Sequence, residues 1–262
     1  KEATVFKVRC GTEIRCAKVY KEADKRSFKQ AVLYQEGRKV RNSRRARAME
    51  KGSKFGRDQQ EDAWQNTEVD ALYKLASAGV RVPKPYGCFD GVLLMELITD
   101  EEGQVAPRLN DVSMSADQAL DDHTLIIEYV VRMLCVGIVH GDLSPFNVLV
   151  DQYGPVIIDL PQAVDAAGNN NAQTMLMRDV NNMKAYYSQY APQLSDSQYG
   201  KEIWALYEKG ELNPEIKLTG KFAESKKVVD IDPILLEIQA AYHEEQQRRE
   251  RLRENAEYDE YN

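Results

Sequence analysis

His140-Gly141-Asp142-Leu143-Ser144-Pro145-Phe146-Asn147, followed by Pro155-Val156-Ile157-Ile158-Asp159, is the stretch on which the reading of this chain turns. Asp142 lies two residues after His140, Asn147 five after Asp142, and Asp159 twelve after Asn147. Val148 to Val150 and Pro155 to Ile158 read as two short strands, with Asp151-Gln152-Tyr153-Gly154 as the hairpin turn between them. Asp159 therefore sits at the end of an apolar strand. Singly, an Asp or Asn in such a loop is most simply a turn-capping residue. In this order, around one hairpin, the two acids and the amide match what is needed to hold a divalent cation and a phosphoryl group beside a hydroxyl acceptor.

Each side chain has a distinct expected task. Asp142 is the candidate catalytic acid, able to orient an acceptor hydroxyl and take its proton. Asn147 offers a neutral amide oxygen to magnesium, and Asp159 a hard anionic one. Lys18, in Cys16-Ala17-Lys18-Val19-Tyr20, lies amid apolar neighbours near a strand end. A lysine directed inward there needs an anion, which ATP phosphates and a helix glutamate would supply. Glu68 is the best partner by spacing, with Glu61 as the substitute. A surface strand lysine is the plainer alternative. Lys1-Glu2-Ala3 opens the first strand where a phosphate-cradling loop would end, although the loop's glycines are absent from this sequence. His140 reads as a structural residue of the loop. Asp179 reads equally as a brace for the catalytic loop or as a surface ion pair.

The bulk composition bounds the rest. The 262 residues are 43% hydrophobic and 29% charged, as in a soluble globular protein with room for one two-lobed domain or two small ones. No apolar run approaches the roughly 18 residues of a membrane helix. No charged-then-apolar leader is visible either, so a cytoplasmic location without a membrane partner is expected. The chain opens on Lys1 rather than methionine, and residues upstream of it are expected. Cys10, Cys16, Cys88 and Cys135 lack CxxC spacing, which argues for free thiols. The net charge of -7 argues against wholesale nucleic-acid binding, yet residues 38–57 hold nine Lys/Arg against one acid, Glu50. That stretch reads first as a solvated, flexible insert spanning 36–60. As a binding surface it would suit RNA or a ribosomal particle through counterion release. No aromatic interleaves within 38–54, so base stacking has little support. Ser43 and Ser53 in it are candidate phosphorylation sites.

Along the chain, Ala3–Arg9 and Thr12–Tyr20 alternate as two strands joined at a glycine turn. A short helix is expected over Ser27–Tyr34 and a longer one over Asp62–Ala78, stopped by Gly79. Val82-Pro83-Lys84-Pro85 must be extended, and Val92–Ile98 is an apolar strand. Helices are expected over Asp121–Val136, Met175–Tyr190 and Ser197–Lys209, and a last long one from Asp232 leads into an acidic tail.

Together these residues resemble the RIO family of atypical protein kinases, over residues 1 to about 190. The resemblance rests on Lys1-Glu2-Ala3, Lys18-Val19-Tyr20-Lys21, the charged insert, Ala106-Pro107-Arg108-Leu109, His140-Gly141-Asp142-Leu143-Ser144-x-x-Asn147 and Ile157-Ile158-Asp159-Leu160-Pro161-Gln162. The first RIO subfamily looks closest, with a bacterial branch as a variant. The resemblance implies an α+β, bilobal protein-kinase-like fold with a strand-rich N-lobe (1–98), a mainly helical C-lobe (99–230), a C-terminal helix and tail (231–262), and no standard activation loop. Gly141 stands where many protein kinases carry the arginine that grips a phosphorylated activation loop. By position Asp142 becomes the catalytic aspartate, and Asn147 and Asp159 the metal ligands. Lys18 becomes the phosphate lysine paired with Glu68, Lys1 part of the nucleotide loop, and Met95 to Ile98 the adenine hinge through backbone groups of Glu96 and Ile98. Cys16 stands where many kinases have an alanine over the adenine. The implied cofactors are ATP and Mg2+, with Mn2+ as the alternative cation. The implied activity is phosphorylation of protein serine or threonine, including itself, with ATP hydrolysis as a switch in ribosome maturation.

Two other readings compete. Aminoglycoside- or choline-type small-molecule kinases share His-Gly-Asp-Leu-x-x-x-Asn and a following Ile-Asp, but usually carry Trp or Phe where Leu160 stands here. A nucleotide-gated assembly factor would use the same ATP site with the basic insert and the polar terminal helix.

Overall fold

In the computed structural model, residues 3–20, 68–89 and 91–222 are described. Lys1, Glu61, the helix expected over Ser27–Tyr34, the basic insert with Ser43 and Ser53, and the final helix with its acidic tail lie outside these residues. Alternation in the first twenty residues produces β1 (Ala3–Cys10) and β2 (Glu13–Tyr20). They pair antiparallel from Ala3↔Tyr20 to Cys10↔Glu13. β2 also pairs with β4 (Val92–Glu96), setting Cys16 against Met95 and Lys18 against Leu93. Directly opposed residues share a sheet face, so Lys18 and the fully buried Leu93 look to the same side.

Pro85, in the stretch expected to be extended, opens β3 (Pro85–Phe89), an edge strand not read from the sequence that completes a four-stranded sheet of order β1-β2-β4-β3. Proline is tolerated on an edge because the outer backbone needs no ladder partner. The expected strand Val92–Ile98 ends at Glu96, because the chain beyond it turns into a bridge between Thr99 and Val105.

Helix α1 (68–77) packs Ala71, Leu72 and Leu75 into the core at helical spacing. The other α-helices among the described residues belong to the second half of the fold. Helix α2 (Ala116–Cys135) starts five residues before the expected Asp121, because the Ser115 hydroxyl accepts the Gln118 N–H at 3.2 Å and caps it. Its buried stripe includes Ile126, Val130, Met133 and Leu134. Removing each such side chain from water contributes about 1.5–3 kcal/mol. Helices α3 (Ala172–Tyr187) and α4 (Tyr199–Glu208) pack beside it. They lie within a few residues of the expected bounds, with α3 displaced by three toward the N-terminus.

Between α2 and α3 lie four short strands. β5 (Ile138–Val139) pairs with β8 (Val164–Asp165), and β6 (Val148–Asp151) with β7 (Gly154–Ile157). The β6–β7 pair closes through Asp151↔Gly154, the hairpin read from the sequence. Leu143, Val148, Ile157 and Leu160, all fully buried, anchor the loops around these strands to the helical core. Helix α3 begins thirteen residues past Asp159, which leaves no room for a long activation segment. Among the described residues no helix is long and apolar enough to cross a membrane.

Candidate active site

Three side chains from distant parts of the chain meet at Lys18. Its Nζ lies 2.7 Å from Glu68 Oε1 and 2.7 Å from Asp159 Oδ1. Lys18 and Glu68 are only 7% and 2% exposed, so this is a desolvated ion pair and not a surface contact. Burial alone would lower the Lys18 ammonium, but the charges of Glu68 and Asp159 outweigh it and hold its pKa above the ordinary lysine value. Burial likewise works to lift the Asp159 carboxyl, and Lys18 overrides it, holding that group below the usual carboxylate range. Asp159 keeps its side chain 48% exposed. It is also the one non-glycine residue, among those described, with a left-handed backbone, at φ 66°. Such a conformation is strained for an L residue, and outliers of this kind cluster at functional sites.

The loop from His140 to Asn147 is held from several sides. His140 is 2% exposed; its Nδ1 accepts the Asp142 N–H at 3.2 Å, which leaves Nε2 to donate to the Ile158 carbonyl at 3.1 Å. Burial lowers its pKa and favours the neutral ring, and with both nitrogens engaged by the backbone the side chain braces the loop, the structural role expected. Gly141 adopts φ 80°. Glycine adopts that left-handed conformation without the steric cost a side chain would bring. Asp179 resolves the choice left open by the sequence. It is 2% exposed and accepts from Gly141 N–H at 2.8 Å and Leu143 N–H at 3.0 Å. Burial lifts its carboxyl to about 7 against the pull of those two donors. From the same helix, Asn182 Nδ2 donates to Leu143 O at 3.0 Å, and Arg178 donates to Gly141 O.

Asn147 Nδ2 donates to Asp142 O at 2.9 Å and to Asp142 Oδ2 at 3.2 Å. This orientation leaves Asn147 Oδ1 for another partner. The Asn147 backbone carbonyl accepts the Ile158 N–H at 3.0 Å, so the residue beside Asp159 is tied to the Asn147 backbone. Among the described residues no group of three or more His, Cys, Asp or Glu could form a metal cage. One amide oxygen and one half-exposed carboxylate instead fit Mg2+, which keeps few protein ligands and fills its octahedron with water and substrate phosphates.

At the expected hinge, Met95 lies opposite Cys16 across the sheet, and Cys16 is 6% exposed. Glu96 N–H donates to Lys84 O at 2.8 Å, and the Ile98 carbonyl accepts Ala106 N–H at 3.0 Å. The Ile98 N–H takes no part in that bridge. All four cysteines are free thiols.

The sequence reading missed Tyr20, whose hydroxyl donates to Glu68 Oε2. It also missed Asn182. Period-2 spacing from Lys18 would have found the first, and three-residue spacing from Asp179 the second.

A family model described as "RIO domain" matches residues 4–199, and the chain belongs to that family. A RIO-type serine/threonine-protein kinase Rio1 from Haloferax volcanii is 37% identical over 125 residues, covering 48% of this chain and 42% of that protein. Its namesake from Methanocaldococcus jannaschii is 32% identical over 189 residues, covering 71% and 60%. The chain thus spans less than two thirds of the length of these relatives. Among solved structures, the Rio2 kinase-ADP/Mg2+-phosphoaspartate complex from Chaetomium thermophilum aligns over 94% of this chain and 69% of that one, with a TM-score of 0.56 at 20% identity. The fold is the bilobal, α+β protein-kinase-like fold expected from the motifs.

Proposed function

We propose that this chain transfers the terminal phosphoryl group of ATP, with Mg2+, to serine or threonine hydroxyls of proteins, itself among them. The observation that carries the proposal is the desolvated Lys18 ammonium gripped between Glu68 and Asp159 at 2.7 Å each. A lysine so fixed, beside a half-exposed carboxylate, is positioned to meet phosphate oxygens at low reorganisation. In this reading Asn147 Oδ1 and Asp159 hold Mg2+, which when bound neutralises charge on the phosphate chain. Asp142, kept in place by Asn147 Nδ2 and by the Asp179 brace, orients the acceptor hydroxyl and takes its proton. Met95, Glu96 and Ile98 form the adenine hinge, and Lys1 belongs to the loop over the phosphates. The relatives' names support kinase activity. A finer form of the proposal makes ATP hydrolysis the biological output, as a switch in ribosome maturation, with the insert at 38–57 meeting the ribosomal particle.

The test is incubation of the full chain with γ-labelled ATP and Mg2+. Label on serine or threonine, stable to hydroxylamine and lost in Asp142→Asn by about 10²-fold or more, is the expected result. Label that survives Asp142→Asn unchanged sinks the assignment. Hydroxylamine-labile label would instead mark an acyl phosphate and favour the ATPase form.

A further inference from the structure

Glu68 has two carboxylate oxygens and almost no access to water, at 2% exposure. Oε1 receives Lys18 at 2.7 Å. Oε2 accepts a hydrogen bond from the Tyr20 hydroxyl. Tyr20 and Lys18 are two apart on β2, so their side chains leave the same face of the sheet and straddle one carboxylate. The Lys18 Nζ lies 5.5 Å from the centroid of the Tyr20 ring, so that ring walls the ammonium on one side while its hydroxyl secures the acid. Tyr20 also faces Ala3 across the sheet, next to where the expected phosphate loop meets β1.

From this arrangement we infer that Tyr20 is a positioning residue of the nucleotide site. It donates to Glu68, fixes the carboxylate rotamer, and thereby sets where the Lys18 ammonium stands when phosphate arrives. A glutamate paired only with lysine can pivot about its χ3 and carry the ammonium with it. With both oxygens occupied by donors on a single strand it cannot pivot without breaking a charge-assisted bond. The tyrosine does not give up its proton: burial first, then the Glu68 charge, holds its pKa far above the ordinary phenol value. This inference rests on the proposed nucleotide-binding function.

The experiment is a double-mutant cycle on the full chain, read by calorimetric affinity for Mg2+-ATP. Tyr20→Phe removes one hydroxyl and keeps the ring, so it is expected to weaken binding about tenfold, the size of a lost hydrogen bond to a charged group, and to lower the melting temperature modestly because the buried Glu68 Oε2 loses its donor, while the chain stays folded. In the Glu68→Ala background the same substitution should change affinity little, because Tyr20 acts through Glu68. Equal losses in both backgrounds, as a packing role would give, overturn the inference. So does a Tyr20→Phe chain that binds as tightly as the unmodified one. If the unmodified folded chain shows no affinity for Mg2+-ATP, the proposed function itself falls, a result distinct from either of these.

Discussion

Lys18 is the residue at which the stability of the fold and the proposed chemistry meet. It ends near Glu68 and Asp159, which are 50 and 141 residues away in the chain. Removing one member of a buried ion pair leaves the other charge desolvated, a loss of about 3–5 kcal/mol, whereas replacing both by apolar groups is close to neutral. Lys18→Met should therefore lower the melting temperature through the stranded Glu68, and lower phosphotransfer by about 10²-fold. The double variant Lys18→Met/Glu68→Leu should recover most of the melting temperature and none of the activity. Thermal unfolding alongside a phosphotransfer assay separates the two effects. Recovery of activity in the double variant would show that the pair is structural only.

At the scale of elements, α3 braces the loop that carries Asp142, the proposed catalytic residue. Arg178, Asp179 and Asn182, in the middle of the helix, engage Gly141 and Leu143, the residues flanking Asp142. A backbone loop with no ladder partner of its own needs such donors and acceptors to stay in one conformation. Asp179→Asn keeps the shape but turns one acceptor into an NH2 group, so one buried N–H of Gly141 or Leu143 loses its partner. The expected loss is about 1–3 kcal/mol, visible as a lower melting temperature and as faster hydrogen exchange at the Gly141 and Leu143 amides. Unchanged exchange at both would show that α3 does not hold the loop.

For the whole molecule, the helical core buries groups that prefer water, and this sets a pH dependence of stability. Asp122 on α2 is 4% exposed, and its Oδ2 has no hydrogen-bond partner among the described residues. Burial lifts its carboxyl to about 6 from 3.8. The folded state thus binds this proton more tightly than the unfolded one. The group favours folding below pH 3.8 and loses that advantage as pH rises to about 6. Asp122→Asn should be more stable than the unmodified chain by about 1–2 kcal/mol at pH 7, with the difference vanishing near pH 4. His123 acts in the opposite sense: burial lowers it to about 4, so its contribution is lost as pH falls from 6.5. Denaturant melts of both chains at pH 4, 5.5 and 7 check this, and a constant difference across the series would rule it out.

The sequence by itself determined what local periodicity and fixed spacing encode. These are the alternating hairpin of β1 and β2, the apolar stripes of the helices, and the order Asp142, Asn147, Asp159 around a two-strand turn. Those features depend on neighbours a few residues away, so they are visible without a fold. Only the tertiary structure decided that Glu68 takes up Lys18, that Tyr20 closes on the second oxygen, and that Asp179 is a buried brace and not a surface ion pair. It alone also revealed the strained backbone of Asp159 and the edge strand at Pro85. Each of these depends on which distant groups share a volume from which water is excluded. There a charge must find its partner across tens of residues of chain, and no short window of sequence carries that information.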